Sequence, residues 1–148
     1  MSESTSQQLV VFSLGAEEYA LPIGAVHEII RFTEPRSVAS EVAWIRGVIG
    51  LRGKIIPIFD LAARLELAAG DSQPGKIVIV ETGTGQVGVM VDEVEEVLTV
   101  SSDQLEEVPT ANSDSIEAIA KIDDRLVVLL NTSGLFAREV AEELAAAA

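Results

Sequence analysis

GVIGLRGKIIPIFDL, residues 47–61, places one arginine and one lysine in an otherwise apolar run with glycine at every third position. The segments GVIG and KIIPIF are short, apolar and rich in β-branched residues, as strands are, and LRGK between them has the composition of a tight turn. We therefore predict a β-hairpin in which Gly50 and Gly53 can adopt positive φ without steric cost. Pro57 has no amide hydrogen, so it predicts an edge or a bulge in the second strand.

Glycine-containing turns also separate short apolar segments before this hairpin. Residues 9–14 and 19–23 flank the turn GAEE and predict a first hairpin, in which Pro22 is tolerable near an edge or a strand end. Residues 25–32, AVHEIIRF, predict a short helical turn that leads into a strand. The N-terminal third of the chain therefore reads as β-structure.

The same alternation continues after the central hairpin. Asp60 is placed to cap a short helix in DLAARLEL, because its carboxylate can accept from the first free amides. The turn TGTG and the dipeptide Asp123-Asp124 predict two further hairpins. One strand places its valines on one face: Val87, Val89 and Val91. The C-terminal residues 138–148 have high helix propensity and predict a helix or a frayed tail.

Length and composition restrict the architecture and the partners. The 148 residues suit a single folding unit, yet roughly ten short strands exceed what one five-stranded barrel holds, so we predict two small barrels sharing an apolar seam. A net charge of −14 argues against nucleic acid and against anionic lipid as partners. The start MSESTSQQ carries no basic, apolar signal and no apolar run is long enough to span a bilayer, so we expect a cytoplasmic protein.

Residues with catalytic or metal-binding chemistry are few. Cysteine is absent and His27 is the only histidine, so zinc ligands of the usual types are missing. Gly53-Lys54 does not complete a phosphate-binding loop, because Val48 and Ile55 occupy the positions that need glycine and a hydroxyl residue. The acidic residues near Val94 alternate with valine as on the wet face of a strand. We therefore expect no enzyme activity, no metal and no cofactor.

Three motifs taken together resemble the CheW family, the coupling proteins of bacterial and archaeal chemotaxis. They are EEYALPIGAVHEII (residues 17–30), IRGVIGLRGKIIPIFDL (residues 45–61) and VGVMVDEVEEVL (residues 87–98). The resemblance covers nearly the whole chain. Gly50 departs from the asparagine that the family usually has before Leu-Arg-Gly, and glycine keeps the turn possible while removing an amide.

The resemblance implies an all-β fold of two five-stranded, Src-homology-3-like β-barrels packed on a shared hydrophobic seam, with short helical turns and a C-terminal helix. The implied bounds are a flexible tail at 1–8, the CheW-like domain at 9–137 and a helix or tail at 138–148. Within the domain, the first barrel spans about 18–82. The second spans about 83–137 and takes the N-terminal strand 9–17.

The resemblance also implies a function and two kinds of partner. CheW-like proteins are noncatalytic adaptors that bind the cytoplasmic tips of chemoreceptors and the regulatory domain of the histidine kinase CheA. We expect this chain to be recruited from the cytoplasm to membrane-associated receptor arrays, without inserting into the membrane. Coupling in a related chemosensory pathway, such as pilus-based motility, is an alternative. A regulatory module with a ligand in its seam and an enzyme with clustered carboxylates are the others.

The family's partner-binding residues map onto seven positions of this chain. By resemblance these lie at or near the partner surfaces: Val26, Glu28, Gly47, Arg52, Val91, Val94 and Val97. For the valines, alternation alone predicts plain core equally well. We further hypothesise that Arg52 pairs with Glu28, because in the family the acidic residue of V-x-E-I lies near the arginine of L-R-G. Solubilising the apolar hairpin is the alternative role for Arg52.

Overall fold

The computed structural model describes residues 6–37, 44–65, 74–82, 85–107 and 116–132, which are mainly short β-strands. The strands are β1 (Ser6–Leu14), β2 (Glu17–Pro22), β3 (Val26–Arg31), β4 (Ile45–Leu51), β5 (Lys54–Asp60), β6 (Lys76–Thr82), β7 (Gly85–Val91), β8 (Glu93–Ser101), β9 (Leu105–Glu106), β10 (Ile116–Ile122) and β11 (Arg125–Leu130). A short helix, α1 (Leu61–Arg64), and two 3-10 turns, Ile23–Ala25 and Ser102–Gln104, lie between them. The expected C-terminal helix at 138–148 lies outside the described residues.

The strands form two sheets. The six-stranded sheet has the order β8-β1-β2-β11-β10-β9, and the five-stranded sheet has the order β3-β6-β7-β5-β4. Each contains one parallel pair, β2 with β11 and β5 with β7, while the other neighbours are antiparallel. The predicted all-β class with two β-subdomains is confirmed.

The five-stranded sheet curls until its two edges meet. Beyond β3 the chain returns to β4, where Arg36 and Val48 exchange two backbone hydrogen bonds of 2.8 and 2.9 Å. The strands β3 and β4, which are opposite edges in the sheet order, are thereby joined. This sheet forms the first barrel.

The six-stranded sheet closes through a bent strand. β8 ends at Ser101, the 3-10 turn follows, and β9 continues the chain to pair with β10 at the far edge. The Ser101 amide donates to Gln104 Oε1 over 2.9 Å, which caps the bend. Because β8 and β9 are two arms of one strand, six hydrogen-bonded segments make the predicted five-stranded barrel.

The central hairpin forms as predicted, but one of its glycines has a different role. Leu51 pairs with Lys54, so the two-residue turn consists of Arg52 (φ 52°) and Gly53 (φ 79°). Of the two glycines expected to tolerate positive φ, Gly53 adopts it and Gly50 does not, because Gly50 is a β4 residue two positions before the turn. Two-residue turns of this kind need positive φ at both central positions.

Both prolines are accommodated within strands. Pro22 is the last residue of β2, as predicted. Pro57 lies in β5, an inner strand, so its prediction as an edge residue was wrong. Pairing of β5 with β7 starts at Ile58, one residue later, and a register shift in β4 lies beside it. Pro57, which has no amide hydrogen, therefore lies just outside the part of β5 that pairs with β7.

The buried apolar side chains of the described residues form three clusters. One occupies the interior of the first barrel, with Ile56, Ile58 and Ile77 among its members. A second occupies the interior of the second barrel and includes Val11 and Leu129. The third, here called the seam cluster, takes buried side chains from both sheets: Phe12, Leu14, Tyr19, Leu21, Ile45, Phe59, Leu61, Val78, Val80, Val87, Val89, Val91 and Leu130. The predicted shared hydrophobic seam is this cluster.

The sheets divide the chain at other positions than the expected barrel bounds. The expected division between residues 82 and 83 separates β6 from β7, which pair along their whole length in the five-stranded sheet. β2 was expected in the first barrel, but it pairs with β1 in the six-stranded sheet. β1 also starts at Ser6, inside the expected tail at 1–8. In the first two cases the short hairpin connection keeps adjacent strands in one sheet.

Candidate partner-binding site

The side chains of Arg52 and Glu28 form an ion pair, as hypothesised. Arg52 Nη1 donates to Glu28 Oε1, although the residues stand on the β4–β5 turn and on β3, which are far apart in the sheet order. The barrel curvature brings them together. The Arg52 side chain is 68% exposed and that of Glu28 is 22% exposed. The pair is therefore a surface feature with one shielded partner.

The Arg52 backbone adopts a conformation that its side chain does not favour. At φ 52° it is one of two non-glycine residues with positive φ in the described part of the chain. Turns with two positive-φ positions favour asparagine or glycine there, because a β-carbon crowds the backbone. The turn itself therefore does not explain why residue 52 is an arginine, whereas the ion pair of its side chain with Glu28 does.

The ion pair sets the charge state of Glu28. The hydrogen bond from Arg52 is the largest influence and lowers the pKa of the Glu28 carboxyl, while partial desolvation opposes it. The charges of Arg52 and of His27, whose Nε2 is 3.8 Å from Glu28 Oε1, lower that pKa further. In return Glu28 raises the pKa of Arg52. Both groups are charged at neutral pH.

We expect this coupling to be visible in an acid titration. Because the folded-state pKa of Glu28 lies below its ordinary value of 4.5, the pair contributes stability above pH 4.5 that is lost as pH falls through the lower pKa. Arg52→Asn should move the Glu28 titration midpoint upward, measured by NMR of the side-chain carboxyl carbon. Lys54→Gln, which removes a cation from the same turn, is the control. Equal midpoints in the wild type and Arg52→Asn would contradict the coupling.

Gly47 lies in the interior of the fold. It is buried in β4 with φ 150°, and a β-carbon at this position would stand 2.1 Å from the Arg36 carbonyl oxygen and 2.7 Å from its carbon. The Arg36–Val48 bridge needs that approach. The geometry gives Gly47 a local role in closing the first barrel.

The four valines differ in exposure. Val91 is fully buried in the seam cluster, and Val26 and Val94 are partly buried against its margin. Val97 is 51% exposed on β8, where it pairs with Val10, while Val94 pairs with Phe12. β8 therefore runs from the seam at Val94 toward the exposed surface at Val97. The structure brings Glu28 and Arg52 together, and it separates Val91 and Gly47 from the surface.

An arginine cluster on the second barrel was missed at the sequence level. Arg125 donates to both carboxylate oxygens of Glu18, over 3.0 and 2.8 Å, and its Nη2 is 2.9 Å from Glu96 Oε2. Glu18, the strongest influence, and Glu96 raise the pKa of Arg125. Arg125 lies on the same face of β11 as Val127 and Leu129, which fill the barrel interior. This period of two residues is the sequence signal that could have placed Arg125 on the inner face of the strand.

Three of the four charged side chains at one cavity already have protein partners. This cavity of about 410 Å³ is lined partly by Glu34, Arg46, Asp60 and Asp92. Arg46 pairs with Asp60 over 3.4 Å, Asp60 also accepts from the Ala63 amide as predicted for its helix cap, and Asp92 accepts from the Gly15 amide. Among the described residues, no group of three or more His, Asp or Glu side chains is placed to hold a metal ion.

The seam leaves little room for a small ligand. Its interior is occupied by the buried side chains of the seam cluster. In the ranges that the structure describes, no helix is long and apolar enough to cross a membrane. The described residues offer an exposed ion pair, Glu28–Arg52, together with partly exposed apolar side chains at the edge of the seam cluster. Such a combination is typical of protein-recognition surfaces.

Comparisons with known proteins agree with this description. The CheW-like domain family model matches residues 8–140. The probable chemotaxis protein CheW of Rhizobium etli is 33% identical over 141 residues, which cover 92% of this chain and 91% of that protein. Protein PilI of Pseudomonas aeruginosa is 31% identical over 85 residues, covering 56% of this chain and 47% of its own length.

A solved structure extends the likeness to three dimensions. The crystal structure of the scaffolding protein TtCheW from Thermoanaerobacter tengcongensis superposes with a TM-score of 0.83 at 34% identity, covering 92% of this chain and 96% of that one. Fold, motifs and family model thus agree over most of the sequence. The chain belongs to the CheW-like family of noncatalytic chemotaxis scaffold proteins.

Proposed function

We propose that this chain couples chemoreceptors to the histidine kinase CheA within a signalling array at the cytoplasmic side of the membrane. Its partners are the cytoplasmic tips of the receptors and the regulatory domain of CheA. The chain acts by holding these partners in a geometry through which the receptor state alters kinase activity. Family membership supports the adaptor role, and the Glu28–Arg52 pair is the observation that carries the docking surface.

The proposed docking surface combines the ion pair with valines of β3 and β8. Arg52 projects from a rigid two-residue turn, and Glu28 holds its guanidinium from the other side of the barrel closure. A fixed guanidinium with unused donors suits a partner carboxylate or carbonyl. Val97 offers exposed apolar area on β8, and Val94 lies partly buried at the seam margin of the same strand. Val26 belongs to the same margin, through its contact with the seam cluster.

The test compares binding with stability in matched variants. Arg52→Asn removes the guanidinium and places a residue that favours positive φ, so the turn should form at least as well. Glu28→Gln removes the orienting charge and keeps the shape. Each variant should weaken binding to the receptor tip or to the CheA regulatory domain by about tenfold or more. The melting temperature should change little, because an exposed pair contributes little stability. Affinities are measured separately by calorimetry.

The double variant separates docking by a pair from docking by two independent side chains. If Glu28 acts by orienting Arg52, the double variant should bind about as weakly as Arg52→Asn alone. Additive losses would contradict the pair and leave two separate contacts. Wild-type affinity for both partners in all three variants would refute the docking role.

A second candidate function is coupling in another chemosensory pathway. The likeness to Protein PilI favours it, although that likeness covers 56% of this chain. The discriminating measurement is binding of this chain to the kinase regulatory domains of both kinds of pathway from the same organism. A preference of about tenfold for one would assign the pathway.

A further inference from the structure

Charge is distributed very unevenly along this acidic chain. Residues 31–76 carry seven of the ten Lys and Arg residues but five of the 24 Asp and Glu, a net charge of +2 against −16 for the remainder. This segment contains β4 and β5 of the first barrel. The segment differs in sign from the rest of the chain, so it attracts acidic partners more than the remainder does.

One backbone position on the β4 edge is left open for hydrogen bonding. Val48 directs its amide and carbonyl away from β5, toward Arg36. Backbone direction alternates along a strand, so Gly50, two residues on, also directs its amide and carbonyl outward. Among the described residues, no backbone or side-chain group bonds to them. Gly50 is exposed, and no atom within 4 Å would meet a β-carbon there, so the face of the strand at Gly50 is open.

Beside Gly50 is a shallow apolar cavity with cationic neighbours. It has a volume of about 370 Å³, and its lining includes Ile55, Arg36 and one acidic side chain, Glu34. Ile55, which pairs with Gly50 across the hairpin, is 68% exposed and is the most exposed large apolar side chain in the described part of the chain. Arg36 and the adjacent Lys54 make no ion pair with another described residue.

We propose that an extended, acidic segment of a partner protein docks on this edge. One residue of the segment forms a β-bridge with Gly50, as Arg36 does with Val48, and its own apolar side chain, which lies on the face of Gly50 and Ile55, packs on Ile55. The carboxylates of the flanking residues lie on the opposite face with Lys54, and Arg36 adds positive charge beside the bridge. Strand addition supplies affinity through main-chain hydrogen bonds, and the pocket beside it supplies selectivity. This surface is separate from the valines of β8 and extends the proposed function by a second contact face.

The experiment measures binding of defined peptides to the full chain. The probe is a fluorescein-labelled ten-residue peptide of alternating Glu and Val, followed by fluorescence anisotropy. A Lys-Val peptide tests the charge, and a Glu-Val peptide with a central proline tests strand addition. The acidic peptide should bind about tenfold or more tightly than either control peptide. It should also shift the Gly50 amide resonance in a ¹⁵N correlation spectrum.

Two exposed apolar residues give a matched pair of variants. Ile55→Glu removes the apolar contact and repels the peptide, so affinity should fall about tenfold or more. Leu126→Glu makes the same change at a position 61% exposed on the second barrel, and affinity should stay within about twofold. Both variants should melt like the wild type, because neither side chain is buried.

Three results would overturn the proposal. Equal affinity for the acidic and basic peptides would show that charge does not select the segment. Equal losses of affinity in Ile55→Glu and Leu126→Glu would show that the peptide does not bind at this edge. Self-association of the chain in sedimentation velocity that disappears in Ile55→Glu would assign the face to a second copy instead of an acidic partner segment.

Discussion

Gly47→Ala is expected to destabilise the protein by about 2–4 kcal/mol, because the new β-carbon overlaps backbone atoms that cannot move independently. Its ideal position is 2.1 Å from the Arg36 carbonyl oxygen, at φ 150°. Relief requires breaking the two hydrogen bonds between Arg36 and Val48, and these close the first barrel. Thermal unfolding followed by circular dichroism should show the melting temperature lowered by several degrees.

The same substitution three residues later is the control. Gly50→Ala introduces a β-carbon that meets no atom within 4 Å, at a position without positive φ. Alanine also loses less backbone freedom on folding than glycine does, so this variant should melt at the wild-type temperature or slightly above it. Gly50→Asn, which restores the residue usual in the family, should fold equally well.

The comparison decides how Gly47 contributes to partner binding. If its role is structural, Gly47→Ala should lose affinity for the receptor tip and for the kinase domain together, in proportion to the unfolded fraction. A variant with wild-type melting temperature and lost binding to one partner would instead place Gly47 at a contact. Gly47 would then contact that partner directly, although it is buried in the isolated chain.

Local signals in the sequence predicted the hairpins well. The turn between Leu51 and Lys54 and the turn at Asp123-Asp124 depend on two adjacent residues, so their composition carries the information. Asp60 likewise acts within one helical turn, where its Oδ1 accepts from the Ala63 amide over 3.2 Å. Alternation of valines in β7 predicted a buried face, which is the seam. In all these cases the interacting groups are close in sequence.

The features that sequence analysis missed depend on contacts between distant segments. The tolerance of glycine for positive φ drew attention to Gly50, while the position that requires glycine is Gly47, where Arg36 approaches from another segment. Arg125 and Glu18 are 107 positions apart, so no local pattern could pair them. The barrel bounds shifted because hairpin pairing kept β6 with β7. Composition indicates element type, but only the closed barrels determine which elements meet.

The Glu28–Arg52 pair was predictable only through the family resemblance. The two residues are 24 positions apart and occupy opposite edges of the five-stranded sheet in its hydrogen-bonding order. Spacing alone predicts no contact between them. The barrel closure converts those edges into neighbours, and the ion pair then spans the closure beside the Arg36–Val48 bridge. The docking surface proposed here is thus a product of barrel topology.

Val91→Asp and Val97→Asp are expected to have opposite effects on stability and binding. Val91 is fully buried in the seam cluster, where a carboxylate finds no water and must either ionise without a partner or bind a proton. We expect a loss of about 3–5 kcal/mol or failure to fold at ambient temperature. The loss of fluorescence and circular dichroism signals against urea concentration measures it.

Val97→Asp makes the same chemical change on the exposed part of β8, where the side chain is 51% exposed and the new carboxylate remains hydrated. Its unfolding free energy should stay within about 1 kcal/mol of the wild type, while affinity for one partner falls about tenfold or more if the apolar margin docks there.

To separate folding from docking at the buried position, Val91→Ala is measured as well. This variant should lose about 1–3 kcal/mol of unfolding free energy through the cavity it leaves, with binding of the remaining folded protein unchanged. A Val91→Ala variant that is stable yet loses binding would return Val91 to the partner surface. Equal destabilisation by Val97→Asp and Val91→Asp would show instead that β8 packs into the seam along its whole length, and the valine margin would then be core.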